Sequence, residues 1–209
     1  LLGAVNTIGF NNIGDDVILK GENTDLHGFY SSVLEGGFDL AKAEYPIVVG
    51  AGGAARAVLG ALYRAGCQKV RLANRSKERA EGLIRYFRSF FKEIDFIPLE
   101  REKLLKEIQQ ADLLIHTTPI GTYPHINESI LGDNIYLPDN ITVVDLVYNP
   151  LETKLLKQAK KAGARAIGGL GMLMHQAALA FEYWTGMEMP LDQVKERILQ
   201  MDLLQGGKT

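Results

Sequence analysis

Gly50-Ala51-Gly52-Gly53-Ala54-Ala55 follows the apolar run Ile47-Val48-Val49 and opens a stretch of helical periodicity. Glycines at these spacings suit a backbone that must lie against a diphosphate. Gly50 permits a tight turn out of a strand, Gly52 leaves no side chain between backbone and ligand, and Ala55 lets the helix pack closely on a sheet. A helix opening at Gly53 aims free N–H groups and a positive dipole end at the phosphates. Small residues after a strand also serve plain helix–sheet packing. Here a strand precedes the glycines and a second follows the helix, which favours a nucleotide site. That second strand, Lys69-Val70-Arg71-Leu72-Ala73, runs into Asn74-Arg75-Ser76-Lys77. A carboxylate here would accept from a ribose 2′-hydroxyl, and none is present. Arg75 offers forked donors for a phosphate and Asn74 and Ser76 add neutral ones, so NADP(H) is expected over NAD. Ser76 can also cap the next helix and leave Arg75 free.

The elements that must position these residues alternate. Strands are expected at 46–50, 69–73, 94–97, 113–116, 142–146 and 164–167, and helices at 53–65, 76–91, 101–109 and 151–162. Strands apolar throughout, such as Leu113-Leu114-Ile115, belong to a parallel sheet covered on both faces. Three polar stretches fall at the expected C-terminal strand ends, where open α/β sheets bind ligands. They are His116-Thr117-Thr118-Pro119-Ile120-Gly121-Thr122, Asp145-Leu146-Val147-Tyr148-Asn149-Pro150 and Gly168-Gly169-Leu170-Gly171-Met172. Pro150 suits the first turn of a helix, which would make Tyr148-Asn149 an entry turn. A short turn is hinted at Asn134. Beyond Met172, a helix to about Gly186 carries an apolar stripe with Gln176 off it, and an amphipathic helix near Leu191–Leu204 precedes a frayed end at Lys208-Thr209.

The front of the chain reads as a hairpin. Leu1–Ile8 is one strand, Asn11–Asp16 a turn, and Val17–Lys20 the other strand. Two strands alone are marginal in water, so the hairpin calls for a sheet beyond these residues, and the chain looks cut. Thr24 or Asn23 then caps a helix running to about Gly36-Gly37. Asp25, in its first turn, either complements the helix dipole or faces a cleft outside a strand end.

The 209 residues suffice for one large or two small domains, and 46% hydrophobic with 23% charged residues is ordinary for a globular protein. A net charge of −2 gives no electrostatic reason to expect nucleic acid or an acidic membrane surface. No apolar run is long enough to span a membrane and no signal-peptide pattern opens the chain, so a cytoplasmic location is expected. The lone Cys67 excludes an internal disulfide and reads as a buried structural thiol. His27, His116, His125 and His175 lack metal-ligand spacing, and no metal is expected.

Taken together, these motifs resemble shikimate dehydrogenases. The resemblance is carried by Ala4-Val5-Asn6-Thr7-Ile8, Asn23-Thr24-Asp25-x-x-Gly28-Phe29, the Gly50–Ala57 turn and Asn74-Arg75-Ser76. It continues through Thr117-Thr118-Pro119-Ile120-Gly121, Asp145-x-x-Tyr148-x-Pro150-x-x-Thr153 and Gly169-Leu170-Gly171-Met172-Leu173-x-x-Gln176-Ala177-Ala178. It implies NADPH-dependent reversible reduction of 3-dehydroshikimate to shikimate, in aromatic amino-acid biosynthesis. It also implies a Rossmann-like parallel sheet with helices on both faces, plus part of an N-terminal α/β substrate domain completed by C-terminal helices. On that pattern residues 1–24 are the remnant of the substrate domain, 25–168 the NADP-binding domain, and 169–209 the helices returning to the substrate domain.

By the same resemblance, Asn6, Asp25 and Gln176 bind the hydroxyls of shikimate and Tyr148 sits beside it. Gly50 to Ala54 and Asn74 to Ser76 hold NADP, while Thr117, Leu146, Gly169 and Met172 line the nicotinamide side. Asp25 pairs with a catalytic lysine, which in the family lies upstream of Ala-Val-Asn-Thr with a Ser-x-Ser pair, ahead of Leu1. Two departures stand out: His116, where the family often has Asn, and Thr122, where Met is usual. A monomer or homodimer is implied, with a small-molecule substrate as its partner. Two other readings remain: a catalytically silent NADP-binding module, and an NAD-using relative that accepts quinate.

Overall fold

The computed structural model describes residues 2–13, 16–133 and 135–205. Leu1, the turn residues Gly14 and Asp15, the turn expected at Asn134 and the end at Lys208-Thr209 lie outside the described residues.

The six expected parallel strands are all present. They are β3 (Pro46–Val49), β4 (Lys69–Asn74), β5 (Glu93–Pro98), β6 (Leu113–His116), β7 (Thr142–Asp145) and β8 (Arg165–Gly168). Their order in the sheet is β5-β4-β3-β6-β7-β8, so the chain winds outward in one direction, returns to the centre and winds outward in the other. The reversal lies between β3 and β6, where the loops leaving the two strands diverge and open a crevice. Register aligns the strand ends: Ala73 lies beside Val49, Val49 beside His116, His116 beside Asp145, and Asp145 beside Gly168.

Packing direction follows the two-residue period of a strand. Val48, Ile115 and Val144 pack toward α1 (Asp25–Glu35), α2 (Gly53–Arg64) and α3 (Lys77–Phe87), through Phe29, Leu59 and Phe87 among others. Ile47, Val49, Leu114 and Val143 pack the opposite way, toward α4 (Arg101–Ile108) and α5 (Lys154–Lys161), through Leu104, Ile108 and Leu155. With both faces covered, the central strands carry no polar face, which is why they read as unbroken apolar runs. Cys67 is buried, as expected, and its thiol donates to Lys69 O at 3.0 Å.

α6 (Leu170–Thr185) packs along α1, and α7 (Leu191–Gln205) follows it. The α1–α6 crossing is close because glycine stands at both contact points. A Cβ on Gly28 would sit 2.8 Å from the backbone N of Gln176, and one on Gly171 would sit 2.5 Å from Ser32 Oγ. Glu35, at the end of α1, accepts from Lys195 of α7 at 2.7 Å and meets His175 of α6 at 2.9 Å.

Two local expectations are corrected. The first strand of the hairpin is not Leu1–Ile8: β1 spans Thr7–Ile13 and pairs with β2 (Asp16–Glu22), from Thr7 opposite Glu22 to Ile13 opposite Asp16. Pairing therefore runs straight through Asn11-Asn12, whose turn-forming chemistry yields to an antiparallel register continuing as far as Ile13 and Asp16. Leu2 instead leaves the hairpin and buries against Gly60 of α2. Pro150 does not begin a helix. It follows a cis peptide bond, and α5 starts at Lys154, where Thr153 accepts from Leu156 N at 3.2 Å. The side-chain cap, which proline cannot supply, fixes the helix start.

Candidate active site

The C-terminal strand ends carry two neighbouring concavities. The first, about 390 Å³, lies over the ends of β3 and β4. Gly50 leaves β3 at φ 118°, and a Cβ there would fall 2.3 Å from Thr117 Oγ1, so the turn admits only glycine. Thr117 is held in that position by donating to Val49 O at 2.8 Å. Beyond the turn, Cβ atoms built on Gly52 and Gly53 would meet nothing within 4 Å, and no side chain caps α2. The helix N-terminus is therefore open to a ligand, which is what a diphosphate needs.

Asn74 and Arg75 line the same groove at the end of β4. Arg75 is exposed, and its guanidinium makes no ion pair among the described residues. Asn74 turns its amide onto Ser76 O at 2.8 Å, which holds the turn, and Ser76 caps α3 by accepting from Arg79 N at 3.3 Å. Arg79 was missed in the sequence. It lines the groove with Arg75, one helical turn beyond the strand end. The signal was its four-residue spacing from Arg75, legible once Ser76 is taken as the cap. Leu99, just after β5, also lines the groove and was not anticipated, whereas Thr118, Pro119 and Ile120 line it from the first of the three polar strand-end stretches. Two guanidiniums and no carboxylate among these lining residues fit a 2′-phosphate and would leave a bare ribose hydroxyl without its acceptor.

The second concavity, about 270 Å³, is lined by Asn6, Asp25, Tyr148 and Gln176 and, on the sheet side, by Ala54, Leu146, Gly169 and Met172. The structure thus gathers the four expected substrate residues from positions spread over most of the chain. It places Ala54, Leu146, Gly169 and Met172 with them rather than in the larger groove. Gly53 and Ser76 line neither. The approach of Gly169 to β7 is tight: a Cβ would sit 2.2 Å from Leu146 O.

Hydrogen bonds tie the polar residues together. Asn6 Nδ2 donates to Asp25 Oδ1 at 2.8 Å and to Thr24 Oγ1 at 2.9 Å, while Asn6 Oδ1 accepts from Thr24 N at 2.9 Å. Thr24 in turn donates to Gln176 Oε1 at 3.3 Å. Because the Thr24 hydroxyl is spent here, it does not cap α1; Asn23 does, accepting from Leu26 N at 3.2 Å. Asp25 occupies the first turn of α1 and also faces the cleft, so both readings of it hold. Burial pushes its carboxyl above the ordinary value, and the Asn6 hydrogen bond pulls it partly back. Tyr148 stands at the rim, 51% exposed.

The strand order, the glycine turn on the first parallel strand and the cationic groove on the second are those of an α/β protein of the dinucleotide-binding class. Comparison with known proteins narrows this class. A family model described as shikimate / quinate 5-dehydrogenase matches residues 35–147, and a shikimate 5′-dehydrogenase C-terminal domain model matches 169–199. The shikimate dehydrogenase (NADP(+)) of Alkaliphilus oremlandii is 39% identical over 200 residues, which is 95% of this chain and 68% of the relative. Among solved structures, shikimate 5-dehydrogenase of Listeria monocytogenes, in complex with shikimate and NAD, has a TM-score of 0.82 at 33% identity, covering 94% of this chain and 68% of that one. The Thermus thermophilus enzyme in complex with NADP(H) and shikimate has a TM-score of 0.76 at 36% identity, covering 93% and 67%. The chain belongs to the shikimate / quinate dehydrogenase family.

Proposed function

We propose that this chain binds NADP(H) in the groove over β3 and β4 and shikimate in the adjoining cleft, and interconverts shikimate and 3-dehydroshikimate. The observation that carries the reading is the placement of two concavities along one sheet edge, one lined by Arg75 and Arg79 without a carboxylate, the other by Asn6, Asp25 and Gln176, which Thr24 ties together. When bound, NADP(H) supplies the hydride exchanged with the substrate's C3 carbon.

The chain's own residues do the rest. The backbone N–H groups at the start of α2 and the two guanidiniums hold the phosphates. Asn6 and Gln176 orient substrate hydroxyls, fixing the reacting carbon near the sheet-side wall of Leu146, Gly169 and Met172. That wall is largely apolar. Asp25 is the one carboxylate lining the cleft among the described residues, and its raised pKa suits it to holding the hydroxyl proton with a basic partner.

On this reading residues 25–168 form the nucleotide unit, and 1–24 and 169–209 bring Asn6 and Gln176 to it. The protein works as a monomer or homodimer in the cytoplasm. Shikimate-dependent reduction of NADP⁺, measured beside the separate binding of each ligand, tests the proposal. Turnover that collapses in Asp25→Asn supports it. Binding of NADP⁺ with no affinity for shikimate would overturn it.

A further inference from the structure

Below the nucleotide groove, β6 and β7 end in a buried polar chain that the proposed reaction does not use. His116 and Asp145 are neighbours in register, and each side chain is 1% exposed. His116 Nδ1 lies 2.8 Å from Asp145 Oδ1, which also accepts from Val147 N at 3.1 Å, while Asp145 Oδ2 accepts from the Thr153 hydroxyl at 2.6 Å. On the far side of the ring, Nε2 meets the Thr118 hydroxyl, whose oxygen accepts from Ile120 N at 3.4 Å. An ionised carboxylate can only accept, so with a neutral ring the proton sits on Nδ1 toward Asp145, and Nε2 accepts from the Thr118 hydroxyl. Among the described residues no buried side-chain nitrogen or oxygen lacks a partner, so this chain is complete.

A buried polar pair is a poor way merely to join two strand ends, because apolar side chains of similar volume do so with no desolvation penalty. What the pair adds is direction, and that direction leads to one place. Thr118 is the member of the chain that reaches the nucleotide groove, and Thr117, Pro119 and Ile120 line the groove beside it. We infer that His116 is a positioning residue for the cofactor: braced by Asp145, it sets the Thr118 hydroxyl and with it the loop that walls the nucleotide site. The inference rests on the reading of that groove as the NADP site. It assigns the pair to nucleotide binding, away from shikimate binding and proton transfer.

Calorimetric titration of the chain with NADP⁺ and with shikimate separately tests this. His116→Phe keeps a ring but no polar atom, and Thr118→Val exchanges only the hydroxyl for a methyl group. Each is expected to weaken NADP⁺ about tenfold, the effect of one lost hydrogen bond of about 1.4 kcal/mol, with shikimate affinity held within about twofold. The double variant is expected to be no worse than either single one, because both cut the same link. His116→Asn keeps one donor and one acceptor and should recover most of the affinity. Additive losses, equal weakening of both ligands, or a fall in Tm with NADP⁺ affinity intact would each overturn the inference. If His116→Phe does not fold, Thr118→Ser decides: it keeps the hydroxyl, so it must bind NADP⁺ like the wild type while Thr118→Val does not, and equal losses in the two overturn the inference. Wild-type chain that binds shikimate but no NADP⁺ would instead overturn the reading of the groove itself.

Discussion

The two halves of the site are built in opposite ways. The nucleotide groove takes most of its chemistry from two short segments, Gly50–Gly52 and Asn74–Arg79, each fixed by its own strand end and helix start. The cleft proposed for shikimate takes one residue from beside the hairpin, one from the start of α1, one from the loop after β7 and one from inside α6. Local segments carry their geometry with them through turn and cap preferences. An assembled cleft depends on how the helices that carry its residues pack, here on the glycine contacts between α1 and α6. The difference predicts that the two binding functions can be damaged separately.

The sharpest break should come at Gly50. Gly50→Ala forces a Cβ against Thr117 and a positive φ on an L residue, so NADP⁺ affinity should fall by about 100-fold and stability by roughly 1–3 kcal/mol, with shikimate affinity far less affected. Parallel titrations and chemical denaturation would check this. Arg75→Asp should act on the same groove without touching the fold. Loss of the bidentate donor and gain of a ribose acceptor should swing the NADP⁺/NAD⁺ affinity ratio by about 10- to 100-fold, and an unchanged ratio would remove Arg75 from the phosphate site. The mirror test is Gly28→Ala, which presses α1 on the Gln176 backbone from 2.8 Å. Overpacking of about 1–3 kcal/mol should weaken shikimate about tenfold and leave NADP⁺ nearly unchanged.

The smallest effect concerns Asp25. Its folded pKa is raised above 3.8, so the folded state holds the proton more tightly than the unfolded chain. The group therefore opposes folding once it is ionised: the penalty is absent below the unfolded pKa, grows as pH rises through the folded pKa, and is complete above it. Asp25→Asn should raise Tm at pH 7 by on the order of 1–3 °C, with the gain fading toward pH 4. A pH-independent difference in Tm would show that burial of the charge is not its source.

The same contrast decides what could be read from the sequence. Gly50, Gly52, Arg75 and the Ser76 cap are legible because their meaning lies in near neighbours, and the six parallel strands because an apolar run bounded by turns needs no partner to be recognised. Arg79 was lost because it belongs to a helix face that points back at the preceding strand. Asn6, Asp25 and Gln176 gave no local sign of sharing a cleft; only the family resemblance joined them. The His116–Asp145 pair needs the knowledge that β6 and β7 are adjacent and in register. Pro150 and the Asn11-Asn12 pair misled because both favour turns or helix starts locally, and a threonine cap and a continuing ladder overrode them.

The strand order also sets a timetable. Thr117 lies 68 residues beyond Val49, the backbone it must bond to complete the turn around Gly50. At ribosomal speeds of about 5–20 residues per second, the central strand waits roughly 3–14 s before that partner is even synthesised. Until then β3 can pair only with β4, and its other edge is exposed. The nucleotide cannot shelter this stage, because one wall of its groove does not yet exist. NADP(H) can therefore stabilise the finished sheet by mass action, but it enters too late to guide the order in which the strands are laid down.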